Sequence, residues 1–172
     1  MPHSETSPEI TVVIPCKNEA ENLGILLNEV DEALTGRIFE IIVVNDGSTD
    51  TTGDMLNARI KAGSSHLRHI RHDISSGQSA AVRSGVFAAR GRYIATIDGD
   101  GQNNPSYIPQ LVDALKAAQP RAGIAAGQRL KRTDTVMKQY ASRFANGLRQ
   151  MMLADGTRDS GCGLKALPAD LF

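Results

Sequence analysis

The stretch that decides the fold is an apolar run ending in an acidic turn, Tyr93-Ile94-Ala95-Thr96-Ile97-Asp98-Gly99-Asp100-Gly101-Gln102. The run has the length and residue types of a buried strand, and two carboxylates one residue apart follow it. Carboxylate oxygens are preferred ligands of Mg²⁺ and Mn²⁺, which bridge protein carboxylates to the phosphate oxygens of a substrate. The stretch therefore predicts a divalent-cation site, formed by Asp98 and Asp100, at the end of a strand.

A second apolar run, Phe39–Val44, leads into another acidic turn, Asn45-Asp46-Gly47-Ser48-Thr49-Asp50. The carboxyl ends of parallel strands meet at one edge of a sheet, where α/β proteins bind their ligands. The two turns together therefore predict a nucleotide-phosphate site at one edge of a parallel sheet.

Apolar runs of strand length alternate with stretches of helical period along most of the chain. The predicted strands are Ile10–Cys16, Phe39–Asn45, Leu67–Arg71, Tyr93–Ile97 and Gly123–Ala126. The predicted helices are one with a stripe of Leu23, Leu26, Leu27, Val30 and Leu34, then Thr51–Ile60 with Asp50 as N-cap, Gln78–Ala89, and one with Ile108, Leu111, Val112 and Leu115. This order is typical of an α/β fold with a mostly parallel sheet flanked by helices.

The chain of 172 residues has the length of one domain. Residues 1–8 are predicted to form a polar tail and residues 9–172 a single domain. After Ala126 the alternation lapses into a polar, basic loop, and a stripe from Met137 to Met151 then predicts a core helix. Another helix is predicted to begin at Pro168-Ala169-Asp170, close to Phe172. We therefore expect a short or truncated version of a longer protein.

Composition excludes several functions. Lys and Arg together number 19, as do Asp and Glu, so no basic excess suggests a nucleic-acid partner. No apolar run has the length of a membrane span, and no secretory leader is recognisable. Cys16 and Cys162 form no CxxC motif, which favours a reducing, cytoplasmic location. His66, His69 and His72 recur every third residue, a spacing that places neighbours on opposite faces of a strand, so we expect no metal site there.

Asp98 and Asp100 allow other interpretations. A calcium loop of the EF-hand type starting at Asp98 is excluded, because its sixth and twelfth positions would be Asn103 and Pro109. A phosphatase of the haloacid dehalogenase type, with Asp98 as nucleophile, remains a weaker alternative, because Gln102 replaces the usual Thr or Val. The remaining alternative is that Asp98 and Asp100 bind no ligand and belong to an acidic turn exposed to solvent. Neither a dinucleotide-binding glycine motif nor a Walker A motif occurs.

Four segments occur in the order found in family 2 glycosyltransferases: Ile14-Pro15-Cys16-Lys17-Asn18-Glu19, Val44-Asn45-Asp46-Gly47-Ser48-Thr49-Asp50, Gly77-Gln78-Ser79-Ala80-Ala81 and Asp98-Gly99-Asp100-Gly101-Gln102-Asn103-Asn104-Pro105. Together with Ser160–Ala166 they resemble the dolichyl- and polyprenyl-phosphate glycosyltransferases, such as dolichol-phosphate mannosyltransferase. The resemblance implies a GT-A nucleotide-diphospho-sugar transferase fold that is C-terminally short. Its nucleotide-binding half would span about residues 9–105, and the start of its acceptor half about residues 106–172.

The resemblance also implies site residues. Those at the nucleotide would be Pro15, Asn18, Glu19, Gln78, Asp98 and Asp46, the last touching the base or ribose. Gln78 stands where many relatives have Lys. The ligands of Mg²⁺ or Mn²⁺ would be Asp100 and Gln102, with Asp98 beside them. Arg129 and Arg143 match arginines that bind the donor and acceptor phosphates, and with Asp98 and Asp100 they would complete the catalytic set.

The activity implied by the resemblance is transfer of a sugar, with inversion, from a UDP- or GDP-linked donor to a polyprenyl phosphate. Such an enzyme would work at the cytoplasmic face of a membrane, in peripheral contact with it. Two alternatives stay open at this point. One is a weakly active fragment that binds nucleotide sugars, and the other is the phosphatase with Asp98 as nucleophile.

Overall fold

A computed structural model describes residues 7–118, 123–127 and 163–171. Its strands and α-helices, in chain order, are β1 (Ile10–Cys16), α1 (Ala20–Ala33), β2 (Phe39–Asp46), α2 (Thr52–Lys61), β3 (Leu67–His72), α3 (Gln78–Ala88), β4 (Tyr93–Thr96), α4 (Ile108–Ala118), β5 (Ala125–Ala126) and β6 (Lys165–Pro168). Short 3₁₀ helices cover Pro105–Tyr107, before α4, and Ala169–Leu171, after β6.

The strands form one sheet in the order β3-β2-β1-β4-β6-β5. The strands β1 to β4 are mutually parallel, whereas β6 runs antiparallel to both β4 and β5. The predicted α/β fold with a mostly parallel sheet is therefore confirmed. The parallel arrangement brings the carboxyl ends of β1, β2 and β4 to one edge of the sheet.

Strand β6 is absent from the sequence-based prediction. It has four residues, too few to show the alternation of apolar and polar side chains that marks a strand, and it pairs with a strand far away in the chain. Pro168, predicted to begin a helix, instead ends β6 opposite Tyr93, and only a 3₁₀ helix follows it. The predicted strand Gly123–Ala126 is reduced to Ala125–Ala126.

The main core lies between the sheet and helices α1, α2 and α4. All seven residues of β1 are buried, because helices cover both faces of this central strand. The predicted stripe of α1 packs against it, with Leu23, Leu26, Leu27 and Val30 all buried. Each such buried side chain contributes about 1.5–3 kcal/mol relative to an exposed one. The stripe therefore anchors α1 and fixes the loop that leads into it from β1.

Helix α3 covers the opposite face of the sheet. Gly85 allows the close approach, since a Cβ built there would lie 2.3 Å from Val13 Cγ1 and 3.2 Å from Val44 Cγ2. Val86 packs beside it against Val13. This close packing fixes the position of α3 on the sheet, and its first residue, Gln78, thus stands near the carboxyl ends of the strands.

Helix α2 begins one residue later than predicted, and its N-cap is Thr51 rather than Asp50. The Asp50 carboxylate nevertheless accepts a hydrogen bond from Thr52 N at 3.0 Å and one from Ala20 N at 3.4 Å. These bonds lower the pKa of Asp50, with those from Thr52 contributing most. Asp50 thus joins the starts of α1 and α2.

Some predictions fall on other parts of the chain. Arg129, Arg143, Cys162 and the predicted helix from Met137 to Met151 lie outside the described residues. Within the described ranges, no helix combines the length and the apolar character that crossing a membrane requires.

Candidate nucleotide and metal site

A cleft of about 270 Å³ opens at the carboxyl ends of β1 and β4, beside the first residue of α3. Its lining residues are Pro15, Cys16, Lys17, Glu19, Gln78, Asp98, Gly99 and Asp100. The cleft brings together five of the predicted site residues: Pro15, Glu19, Gln78, Asp98 and Asp100. Three separate segments of the chain thus converge at the edge of the sheet where the sequence predicts a nucleotide-phosphate site.

The carboxylate of Asp98 is held on two sides. Gln78 Nε2 donates a hydrogen bond of 2.6 Å to Asp98 Oδ1. On the other side the backbone of Gly163 is so close that a Cβ built there would lie 2.0 Å from Asp98 Oδ2. Thr96 Oγ1 holds Gly163 in place by donating to its carbonyl at 3.0 Å. The orientation of Asp98 therefore depends on α3 and on the segment that leads into β6.

The turn after β4 presents Asp100 at the surface of the cleft. Gly99 N donates to Pro15 O at 3.3 Å, and a Cβ on Gly99 would lie 2.9 Å from Cys16 Cβ, so the turn lies directly on β1. Asp100 Oδ1 accepts a hydrogen bond of 3.1 Å from Gln102 N. Gln102 itself is exposed and does not line the cleft, so its role as a metal ligand stays a prediction.

The charges around the cleft favour a cation. Three carboxylates, those of Glu19, Asp98 and Asp100, face a single ammonium group, that of Lys17. A diphosphate would be repelled by this set, whereas a divalent cation would be attracted. Among the described residues, no group of three or more His, Cys, Asp or Glu could hold a metal. Mg²⁺ is usually held by one or two carboxylates, and substrate phosphates complete its coordination shell. The carboxylates of Asp98 and Asp100 therefore fit a cation that binds together with its nucleotide.

Asn18 lies beside the cleft without lining it. Its φ of 56° is in the left-handed region, which Asn tolerates better than most residues. Its side-chain Oδ1 accepts from Thr49 N at 2.8 Å, and its backbone N–H donates to Ser48 Oγ at 2.9 Å. Asn18 thus fixes the loop after β1 to the turn after β2, and its contact with a nucleotide stays a prediction.

Asp46 also lies outside the lining of the cleft, and its side chain is buried. Its Oδ1 accepts from His72 Nδ1 at 2.7 Å and Ser76 N at 2.8 Å, and its Oδ2 accepts from Ser75 Oγ and Gly77 N, both at 2.8 Å. Burial alone would raise the pKa of Asp46, but these four hydrogen bonds hold it well below its usual range. The predicted contact with a base or ribose stays a prediction, because the protein itself supplies four donors to this carboxylate.

The three histidines have separate partners. His66 Nε2 contacts Asp31 Oδ1 at 2.8 Å, and His69 Nδ1 contacts Asn57 Oδ1 at 3.2 Å. His72 contacts Asp46, which is its register partner on the neighbouring strand. No role at the site was predicted for His72, so its contact with Asp46 was missed.

No binding role was predicted for Lys17, Cys16 or Gly99, although all three line the cleft. Their positions in the sequence could have indicated this, since each of them is adjacent to a predicted site residue: Cys16 follows Pro15, Lys17 precedes Asn18, and Gly99 lies between Asp98 and Asp100. Cys16 is buried, and burial, followed by the charge of Glu19, raises the pKa of its thiol to about 12. The thiol therefore stays protonated at neutral pH and is no nucleophile.

Fold and cleft together define an α/β protein with an acidic site at the carboxyl edge of its parallel strands. The sequence profile of one family, Glycosyl transferase family 2, matches residues 11–169. The chain therefore belongs to glycosyl transferase family 2. This membership favours the sugar-transferase interpretation of Asp98 and Asp100 over the phosphatase interpretation.

Two curated relatives cover nearly the whole chain. The undecaprenyl-phosphate 4-deoxy-4-formamido-L-arabinose transferase of Yersinia enterocolitica is 33% identical over 168 residues, covering 96% of this chain and 50% of that protein. The dodecaprenyl-phosphate galacturonate synthase of Rhizobium johnstonii is 36% identical over 171 residues, covering 96% and 49%. The chain thus spans about half the length of these relatives.

Solved structures of glycosyltransferases share the fold. A mannosyltransferase from Pyrobaculum calidifontis, in complex with GDP-Man and Mn²⁺, matches with a TM-score of 0.67 at 22% identity, covering 95% of this chain and 45% of that one. Glucosyl-3-phosphoglycerate synthase from Mycobacterium tuberculosis, with Mn²⁺ and UDP-glucose, matches with a TM-score of 0.72 at 21% identity, covering 95% and 57%. The fold is that of the GT-A glycosyltransferases.

Proposed function

We propose that this chain carries the donor site of an inverting, metal-dependent glycosyltransferase that moves a sugar from a UDP- or GDP-linked donor to a polyprenyl phosphate. The observation that carries the proposal is the cleft in which Asp98 and Asp100 face Pro15, Glu19 and Gln78. Family membership supports sugar transfer, and the names of both curated relatives support a polyprenyl phosphate as acceptor.

Asp98 and Asp100 would hold the divalent cation, Mg²⁺ or Mn²⁺, with Gln102 as a further oxygen ligand. When bound, the cation supplies a Lewis acid that stabilises the negative charge of the leaving nucleoside diphosphate. The two solved relatives contain Mn²⁺ together with a nucleotide sugar, which supports this assignment. The hydrogen bond from Gln78 to Asp98 leaves Asp98 preoriented, so it loses little side-chain freedom when a ligand binds.

The nucleotide would lie along the cleft wall formed by Pro15 and Glu19, with Asn18, Asp46 and Gln78 around it. Lys17 is the one cation among the lining residues, and its ammonium group donates to Ser75 Oγ at 3.1 Å. It is therefore placed to offset part of the charge of a diphosphate. Both solved relatives with bound nucleotide sugar share this fold, which supports the placement.

The acceptor side depends on residues outside the described ranges. Arg129 and Arg143 would bind the acceptor and donor phosphates and reduce the repulsion between them. A phosphate monoester with a second pKa of about 6 is largely dianionic near neutral pH, so it attacks without a general base. Attack from the face opposite the leaving group inverts the anomeric carbon. A polyprenyl phosphate would place the protein in peripheral contact with the cytoplasmic face of a membrane.

Calorimetry of UDP and GDP, each with Mn²⁺, tests the donor site. Asp100→Asn keeps the shape of the side chain and removes its charge, so metal-dependent affinity should fall at least tenfold. Asp54→Asn is the matched control, because Asp54 is an exposed carboxylate in the first turn of α2, outside the cleft. Equal affinities in the two variants would refute the metal assignment.

A transfer assay tests the acceptor. The protein is incubated with Mn²⁺, radiolabelled UDP- or GDP-sugars and a short polyprenyl phosphate, and label is followed into the lipid. We expect label only with the phosphorylated lipid, and none with the corresponding polyprenol. Transfer to the polyprenol, or hydrolysis without transfer to lipid, would contradict the proposed acceptor.

A further inference from the structure

Helix α3 and the residues that follow it carry cations without partner carboxylates. Residues 74–97, which include the whole helix, contain three arginines, Arg83, Arg90 and Arg92, and neither Asp nor Glu. All three arginines are exposed, and within the described part of the chain none of them forms an ion pair. A chain that is formally neutral as a whole thus has a local excess of positive charge here.

An exposed aromatic ring lies among these cations. Arg83 and Phe87 are one helical turn apart, on the side of α3 opposite its buried residues, Ala81, Gly85 and Val86. The side chain of Phe87 is 66% exposed, and the guanidinium carbon of Arg83 lies 5.3 Å from the centroid of its ring. A single exposed apolar side chain is common on protein surfaces. This one, however, occurs in the segment that holds the three unpaired cations.

The other side of the sheet has the opposite charge. Helix α1, which packs there, contains four carboxylates and no Lys or Arg. An anionic surface would therefore be attracted to α3 and repelled by α1, so charge alone would orient the protein. Anionic lipids attract arginines near the surface of a bilayer, and an aromatic side chain adds apolar contact at the boundary of headgroups and acyl chains.

We propose that a basic patch formed by Arg83, Phe87, Arg90 and Arg92 docks this chain on an anionic phospholipid bilayer. Helix α3 is about 16 Å long, and its first residue, Gln78, lines the cleft. A bilayer that contacts the basic patch would thus lie beside the cleft, where the phosphate of a membrane-embedded acceptor has to enter. The inference rests on the proposed function for this purpose, whereas docking itself is measured without any substrate.

The sequence allows a site-specific test, because the chain contains no tryptophan. Phe87→Trp places a fluorescent probe in the basic patch. Ile25→Trp is the matched control on α1, since Ile25 is 63% exposed. The emission of Phe87→Trp should shift to shorter wavelength with vesicles of phosphatidylcholine and phosphatidylglycerol, and stay unchanged with phosphatidylcholine alone. The emission of Ile25→Trp should stay unchanged with both. No shift in Phe87→Trp, or an equal shift in the two variants, would overturn the inference.

Sedimentation with the same vesicles tests the charges. Each arginine replaced by Gln should lower the partition coefficient about fivefold, so a variant that combines Arg83→Gln, Arg90→Gln and Arg92→Gln should bind about 100-fold more weakly. Lys61→Gln is the control, because Lys61 is an exposed cation at the end of α2, on the other side of the sheet, and it should bind within twofold of the parent. Equal binding by the triple variant and the parent would show that the basic patch does not face the lipid.

Sugar transfer separates this inference from the proposed function. The triple variant should keep the rate of the parent with a short polyprenyl phosphate in solution, and lose most of its rate with a long polyprenyl phosphate embedded in anionic vesicles. An equal loss with both acceptors would place the three arginines in the active site and overturn the inference. If the parent binds vesicles through the basic patch but transfers no sugar, the docking surface is confirmed and the proposed function alone fails.

Discussion

Replacing Gly163 by alanine should disable the metal site although no proposed metal ligand is itself replaced. A Cβ at this position would lie 2.0 Å from Asp98 Oδ2, 2.3 Å from its Cγ and 2.7 Å from its Oδ1. Real contacts of a Cβ are rarely shorter than 3.0 Å, so the carboxylate or the backbone must shift by about 1 Å. Such a shift would disrupt the 2.6 Å hydrogen bond between Gln78 and Asp98.

The expected magnitude follows from this displacement. Overpacking costs about 1–3 kcal/mol of folding stability, so the variant should still fold. A misplacement of about 1 Å at a reacting site can lower the rate of catalysis about 100-fold. We therefore expect metal-dependent affinity for UDP or GDP to fall at least tenfold, with a larger loss in sugar transfer.

Calorimetry with Mn²⁺, together with urea unfolding, separates these effects. Gly123→Ala is the matched control, because a Cβ there meets only Leu171 Cδ1, at an ordinary 3.6 Å. It should bind nucleotide like the parent. A folded Gly163→Ala variant that also binds like the parent would refute the idea that Asp98 depends on the backbone of Gly163.

Three further outcomes are expected. Gly24→Ala in the middle of α1, where nothing lies within 4 Å of a built Cβ, should raise the free energy of unfolding by about 0.5–1 kcal/mol in urea titrations. The pKa of Asp46 in the folded protein lies below its ordinary 3.8, so the ionised carboxylate stabilises the fold at pH values above 3.8. This stabilisation is lost as the pH falls through the folded pKa, and Asp46→Asn should therefore flatten the acid side of the plot of folding stability against pH. Cys16 should react slowly with iodoacetamide at pH 8 until the protein is unfolded, as mass spectrometry would show. A steep fall in the folding stability of Asp46→Asn at acid pH, or rapid labelling of Cys16 in the folded protein, would contradict these expectations.

Local patterns predicted the central elements of the fold. The strand β1 was predicted with its observed bounds, because seven consecutive residues buried under helices on both faces leave a nearly continuous apolar run. The acidic turn after β4 predicted where the cleft would lie, because the end of a parallel strand fixes which edge of the sheet a turn reaches.

Pairings between distant segments were not predictable in this way. His72 meets Asp46 only because β2 and β3 pair in a particular register, and a shift of one residue would separate them. Gly163 meets Asp98 because β6 adds to the sheet beside β4, and the sequence of four residues gives no sign of that neighbour. The residues that support the cleft were therefore harder to find than those that line it.

The antiparallel addition of β6 has a consequence for the order of folding. Strands β1 to β4 all lie within residues 10–96, whereas the Gly163 backbone that meets Thr96 comes 67 residues after it in the chain. On the ribosome the amino-terminal part of a chain is available for folding first. The nascent sheet can therefore assemble from β1 to β4 while Asp98 still lacks the backbone that confines it. Interrupted synthesis should therefore yield a folding intermediate that has native helices but whose cation site does not bind its ion.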